Sequence, residues 1–136
     1  MKKQHLFTLL VTIVLLAAGS LYAQTGEVKA VIPFDFTAGN MSLPAGEYSV
    51  TEMSDAGRIL LIAGRDSKGF VGSHAVEKIE ASANTRLVFH RYGDRYFLYQ
   101  IWVQGNNRGR ELPETKLEKE VASNARPTLV AVLALK

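Results

Sequence analysis

The sequence predicts an all-β domain: a small antiparallel sandwich or partly closed barrel of about seven to eight strands, with one short helix before the C-terminal strand. Three observations carry this expectation. Two aromatic, β-branched runs flank Gly93-Asp94, a glycine-led pair that is a strong hairpin signal. Apolar runs recur at intervals of about 8 to 12 residues with turn chemistry between them, as in sandwiches and small barrels. Helical spacing is confined to one stretch between Pro113 and Pro127.

In chain order, Glu27 to Thr37 predicts the first strand, with Ile32, Phe34 and Phe36 on one face. Pro33 cannot donate to a ladder, which places this strand at an edge or starts it there. Ala38 to Gly46 reads as a loop on its glycines and proline. Glu47 to Thr51 alternates again, with Tyr48 and Val50 inward, and is expected to pair with the first strand. Arg58 to Ala63 is a short apolar strand between two turns, and Phe70 to Ile79 is a more polar one.

The central hairpin follows. With Gly93 and Asp94 as the middle of a type II′ turn, Tyr92 opposes Arg95, Arg91 opposes Tyr96, His90 opposes Phe97, Phe89 opposes Leu98 and Val88 opposes Tyr99. Alternation then puts Leu87, Phe89, Leu98 and Trp102 on one face, and Val88, His90, Phe97, Tyr99, Ile101 and Val103 on the other. Both faces are apolar, so the hairpin is expected to be central and covered on both sides, or covered on one side by a helix or partner. Pro113 suits a first helical position, and Glu114 to Ser123 predicts a short helix docking through Leu117 and Val121. Thr128 to Leu135 is nearly continuously apolar and predicts a final strand buried on both faces.

Met1-Lys2-Lys3, an apolar run from Leu6 to Ala18 and the exit Gly19-Ser20-Leu21-Tyr22-Ala23 have the form of a secretory signal peptide. The run falls short of the roughly 20 residues that span a bilayer. Residues 1–23 are therefore expected to be the leader, with cleavage after Ser20 or retention as an uncleaved membrane anchor as the alternatives, and 24–136 a single β domain exported to the periplasm or the extracellular space. No membrane span is expected once the leader is removed. An outer-membrane barrel is disfavoured because the turns lack aromatic girdles. Without cysteine there is no disulfide, thiolate or lipid anchor. The net charge of +3 includes Lys2 and Lys3; the remainder carries 14 basic against 13 acidic residues. That near balance removes the support a nucleic-acid reading needs.

Pro33-Phe34-Asp35-Phe36, Leu43-Pro44-Ala45-Gly46-Glu47-Tyr48, the run from Leu87 to Trp102 and Gly109-Arg110-Glu111-Leu112-Pro113 with Lys116 and Glu118-Lys119-Glu120 together resemble a family of small secreted β-proteins found in the genomes of soil-dwelling bacteria. The block from Phe89 to Tyr96 is its specific part. The resemblance implies export and an all-β domain. It brings no established activity and no catalytic or binding residue.

The residues themselves offer few chemistries. His74 and His90, the histidines outside the leader, lack ligand spacing, so no metal or other cofactor is expected. Ser73-His74 lacks a nucleophile-elbow pattern, and neighbours on a strand point to opposite faces. Asp35 and Glu47 are consistent with an ordinary solvated sheet face. No catalytic residue is expected. The candidate binding surface comprises His90, Arg91, Tyr92, Arg95 and Tyr96 around the hairpin turn, whose residue types are favoured at binding surfaces, and Arg108 and Arg110 in a polar loop suited to anions. The expected function is that of an exported, non-enzymatic envelope or extracellular domain that binds a protein or small-molecule partner, or assembles with itself as a homo-oligomer. The alternative is a small barrel carrying an apolar small molecule.

Overall fold

The computed structural model describes residues 26–54 and 56–136; the expected leader lies outside them. The described residues form an all-β sandwich of two sheets, with no closed barrel among them and one short helix before the last strand. The smaller sheet has the order β1 (Glu27–Ile32), β4 (Gly46–Glu52), β5 (Ile59–Ala63), β6 (Lys68–Gly72). The larger runs β11 (Thr128–Leu133), β8 (Arg86–Tyr92), β9 (Arg95–Trp102), β10 (Arg108–Glu111), β7 (His74–Glu77). A short hairpin of β2 (Phe36–Ala38) and β3 (Met41–Leu43) joins the larger sheet where Thr37 pairs in parallel with Phe97. No helix among the described residues is long and apolar enough to cross a membrane.

Among the described residues the strands number eleven, more than expected: two predicted strands each divide where the chain leaves one sheet for the other, and β3 and β10, the latter carrying Arg108 and Arg110, form in stretches read as loops. The first departure is at Pro33. With no N–H to give, it ends β1, and Phe34 then crosses to the larger sheet, stacking on Tyr96 at 3.7 Å and meeting the edge of Phe89 at 4.9 Å. Asp35 fixes the crossing by accepting from the Ala45 amide at 2.9 Å. The second is at Ser73, whose amide donates to Arg58 O and whose hydroxyl donates to Gly57 O at 2.6 Å. As expected, β1 pairs antiparallel with β4.

The inner faces of the two sheets bury Ile32, Tyr48, Val50, Leu60 and Ile62 against Phe36, Leu87, Phe89, Leu98 and Ile101. Each such side chain contributes roughly 1.5–3 kcal/mol on burial. The row Leu87, Ile101, Arg110, Ala75 crosses the larger sheet on this inner face.

The hairpin turn is as the sequence predicts. Gly93 has φ 61°, no other residue in the turn has positive φ, and pairing runs from Tyr92–Arg95 to Phe89–Leu98 in the expected register. Beyond Phe89 the register shifts: Val88 opposes Gln100, not Tyr99. This β-bulge leaves Tyr99 unpaired and places it and Gln100 on the same outer face. It also exchanges the two residues that follow, so Ile101 enters the core and Trp102 turns outward, the reverse of the simple alternation.

Two further expectations are corrected. The helix α1 spans Lys116–Ala122, capped by Thr115, and it docks through Glu118, which is 6% exposed, while Leu117 is 39% exposed. The last strand is not buried on both faces. β11 lies at the edge of its sheet and exposes Leu129, Leu133 and the following Leu135.

Candidate functional site: a groove over the central hairpin

The connection from β10 to β11 has to pass over β9 and β8, and α1 lies in that connection. It covers the turn end of the hairpin on its outer face, where Tyr92 and Phe97 are buried. At the far end the segment after β7 does the same for Trp102. Lys78 Nζ sits 4.0 Å above the indole ring, and the backbone of Ser82 bonds to Gly105 and Asn106. Near α1 a groove of about 540 Å³ remains open, lined by His74, His90, Tyr92, Tyr99, Glu111 and Glu118, with Arg126 on its wall.

Two histidine–carboxylate pairs organise it. His90 Nδ1 lies 2.8 Å from Glu118 Oε2, and the Tyr92 hydroxyl donates to the same oxygen at 3.0 Å. The pair is largely removed from solvent. Burial and the hydrogen bond to Glu118 push the Tyr92 hydroxyl up to about 12. His74 Nε2 lies 2.8 Å from Glu111 Oε2, and Gln100 Nε2 donates to Glu111 Oε1 at 2.8 Å, itself held by the Trp102 indole N–H at 3.0 Å. Burial acts to raise the Glu111 pKa, but the hydrogen bonds from Gln100, Tyr99 and His74 outweigh it and hold the carboxyl below its ordinary value. Hydrogen bonding to Glu111 and burial raise Tyr99.

Between the two pairs, the His90 and Tyr99 rings stack at 3.8 Å and 25°. The bulge sets this arrangement: in a regular ladder Tyr99 would stand opposite Val88, the place that Gln100 takes instead. The groove thus offers a flat aromatic platform flanked by an ionised carboxylate and two imidazoles. Among the described residues no three His, Asp or Glu side chains are grouped to hold a metal ion. Ser73 is no partner for His74: its hydroxyl donates to Gly57 O and accepts from Arg110 Nε at 3.1 Å.

The candidate surface residues do not form one patch. His90 and Tyr92 line the groove. Arg95 lies with its guanidinium 5.8 Å from the Phe97 ring, at the turn end of the outer face. Arg91 and Tyr96 pair on the inner side, Arg91 bonding to Gly93 O at 2.8 Å with its guanidinium 5.5 Å from the Tyr96 ring. Arg108 and Arg110 line a different cleft of about 360 Å³, floored by Val28, Val50, Leu60 and Ile101. There Arg108 bonds to Glu77 at 2.9 Å.

Tyr99, Glu111 and Glu118 are site residues that sequence reasoning missed. Glu118 had a signal: Thr115-Lys116-Leu117-Glu118 has the spacing of a capping box. Thr115 Oγ1 does accept from the Glu118 amide at 3.3 Å, but the carboxylate turns to the sheet, where His90 and Tyr92 hold it.

No protein-family model matches the chain, and no curated protein or solved structure matches it. The functional assignment rests on the groove itself.

Proposed function

We propose that the protein is an exported, non-enzymatic binding domain that takes a small, hydrogen-bond-donating ligand into the groove over the central hairpin. The observation that carries this is the stacked His90–Tyr99 platform beside Glu111. A ring lying on Tyr99 gains an aromatic contact, and its donors reach an ionised carboxylate with lone pairs to spare. Export is supported by the leader signature of residues 1–23. A non-enzymatic role is supported by Ser73, whose hydroxyl is engaged with Gly57 and Arg110 and faces no base. A carrier of an apolar molecule within the fold has less support, since Phe36, Phe89 and Leu98 fill the space between the sheets.

The test is an amide-resolved NMR titration of the protein with fractions of host envelope extract. Shifts clustered on His90, Tyr99, Glu111 and Glu118 are the expected result, and Tyr99→Ala should weaken binding roughly fivefold for a stack worth about 1 kcal/mol. Shifts confined to the Arg108–Arg110 cleft would overturn the assignment.

A further inference from the structure

The strand β11 has a property that groove binding does not use. Its one neighbour in the sheet is β8. Beyond the strand's end the Ala134 amide donates to Thr85 O on the β8 side, and the next amide, of Leu135, turns the other way to Lys29 O of β1. Backbone groups alternate in direction along an antiparallel strand. The N–H and C=O groups of Leu129, Ala131 and Leu133 therefore point to the free edge, where no described residue pairs with them. Natural edge strands are ordinarily blunted by charge, proline or a bulge. From Thr128 to Leu135 there is no charged residue, glycine or proline, and Leu129 and Leu133 are 64% and 60% exposed.

The order of the residues identifies what pairs with this edge. Leu129-Val130-Ala131-Val132-Leu133 is the same in both directions. We propose that a second copy of this chain pairs antiparallel along β11 about a two-fold axis at Ala131, joining the two larger sheets into one. Each leucine then faces a leucine, each valine a valine, and Ala131 its own counterpart, which is the self-complementarity an isologous interface requires. The unpaired backbone groups are centred on the same residue, and the two copies exchange about six hydrogen bonds. Pairing stops where β1 takes the Leu135 amide and where Pro127 has no amide to give. The paired stretch is uncharged. The pairing is independent of the groove and of any ligand there.

The experiment is sedimentation velocity and oxidative cross-linking of the full chain, expressed with its leader and purified from the cell envelope. The chain has no cysteine, so each introduced thiol reports one position. Residues facing each other in a hydrogen-bonded antiparallel pair lie about 5.5 Å apart at Cα, within disulfide reach. Ala131→Cys is expected to cross-link. Leu129→Cys, roughly 14 Å from its own counterpart along the strand, is expected not to, while Leu129→Cys combined with Leu133→Cys is. The outward-facing Ala131→Lys should leave the circular dichroism unchanged and raise the dimer dissociation constant at least about tenfold through like-charge contact at the axis. A monomer up to millimolar concentration, a dimer indifferent to Ala131→Lys, or cross-linking of Leu129→Cys as efficient as that of Ala131→Cys would each overturn the proposal.

Discussion

His90 on the central hairpin and Glu118 on the helix meet at 2.8 Å, 28 residues apart in sequence, and this contact anchors α1 to the sheet. The helix is too short to persist alone, and its apolar Leu117 faces solvent.

Replacing Glu118 is therefore expected to release the strap. Glu118→Ala leaves the Tyr92 hydroxyl and His90 Nδ1 without their acceptor, a loss of about 2–3 kcal/mol. Glu118→Gln, which keeps an acceptor, should cost less. Urea denaturation of the three proteins checks the order, and equal stability of Glu118→Ala and the parent would contradict it.

Tyr92 adds an alkaline limit. Its hydroxyl is pushed up to about 12 from an ordinary 10.0, so the neutral form is favoured in the folded protein. The stability this represents is complete below pH 10 and is lost as the pH rises from there through about 12. Tyr92→Phe should lose about 1 kcal/mol at neutral pH with the hydrogen bond and show a shallower decline in that window. Denaturation midpoints from pH 8 to 11.5 give the comparison.

Glu111 sets the opposite limit. Its folded pKa lies below the ordinary 4.5, so the ionised carboxylate contributes stability above that value and loses it as the pH falls through the folded pKa. Glu111→Gln should be less stable than the parent at pH 7 and lose less on acidification. Parallel slopes for the two proteins below pH 4.5 would contradict this.

Gly109 tests how closely Trp102 is packed. A Cβ there would lie 2.8 Å from the indole ring, so Gly109→Ala must displace a side chain that is 1% exposed. The expected cost is about 1–3 kcal/mol, with a shift in tryptophan fluorescence, which reports Trp102 alone because it is the single tryptophan.

Much of the fold is legible in the sequence because local chemistry and tertiary structure agree. Gly93 dictates the turn, and the turn dictates register as far as Phe89. Legibility ends at the bulge, since one extra residue leaves the alternation of residue types looking regular while it moves Trp102 and Ile101 to opposite faces. Pro33 and Ser73 mark crossings between sheets, which periodicity alone does not distinguish from continued strands. The run from Leu129 to Leu133 has the composition of a buried strand, and its place at an edge depends on topology.

The site was legible only in part. His90 and Tyr92 stand out beside the turn, yet their partner Glu118 comes from a helix whose docking face is polar. Arg108 and Arg110 resemble Arg91 and Arg95 in kind, but β10 carries them to another cleft.

The most direct test of the binding account is native mass spectrometry of the protein purified gently from the host envelope, with Tyr99→Ala measured beside it. A small molecule at fixed stoichiometry on the parent protein, and absent from Tyr99→Ala, is the predicted result. A parent protein that comes away clean, or a ligand that Tyr99→Ala retains in full, would contradict the assignment of the groove.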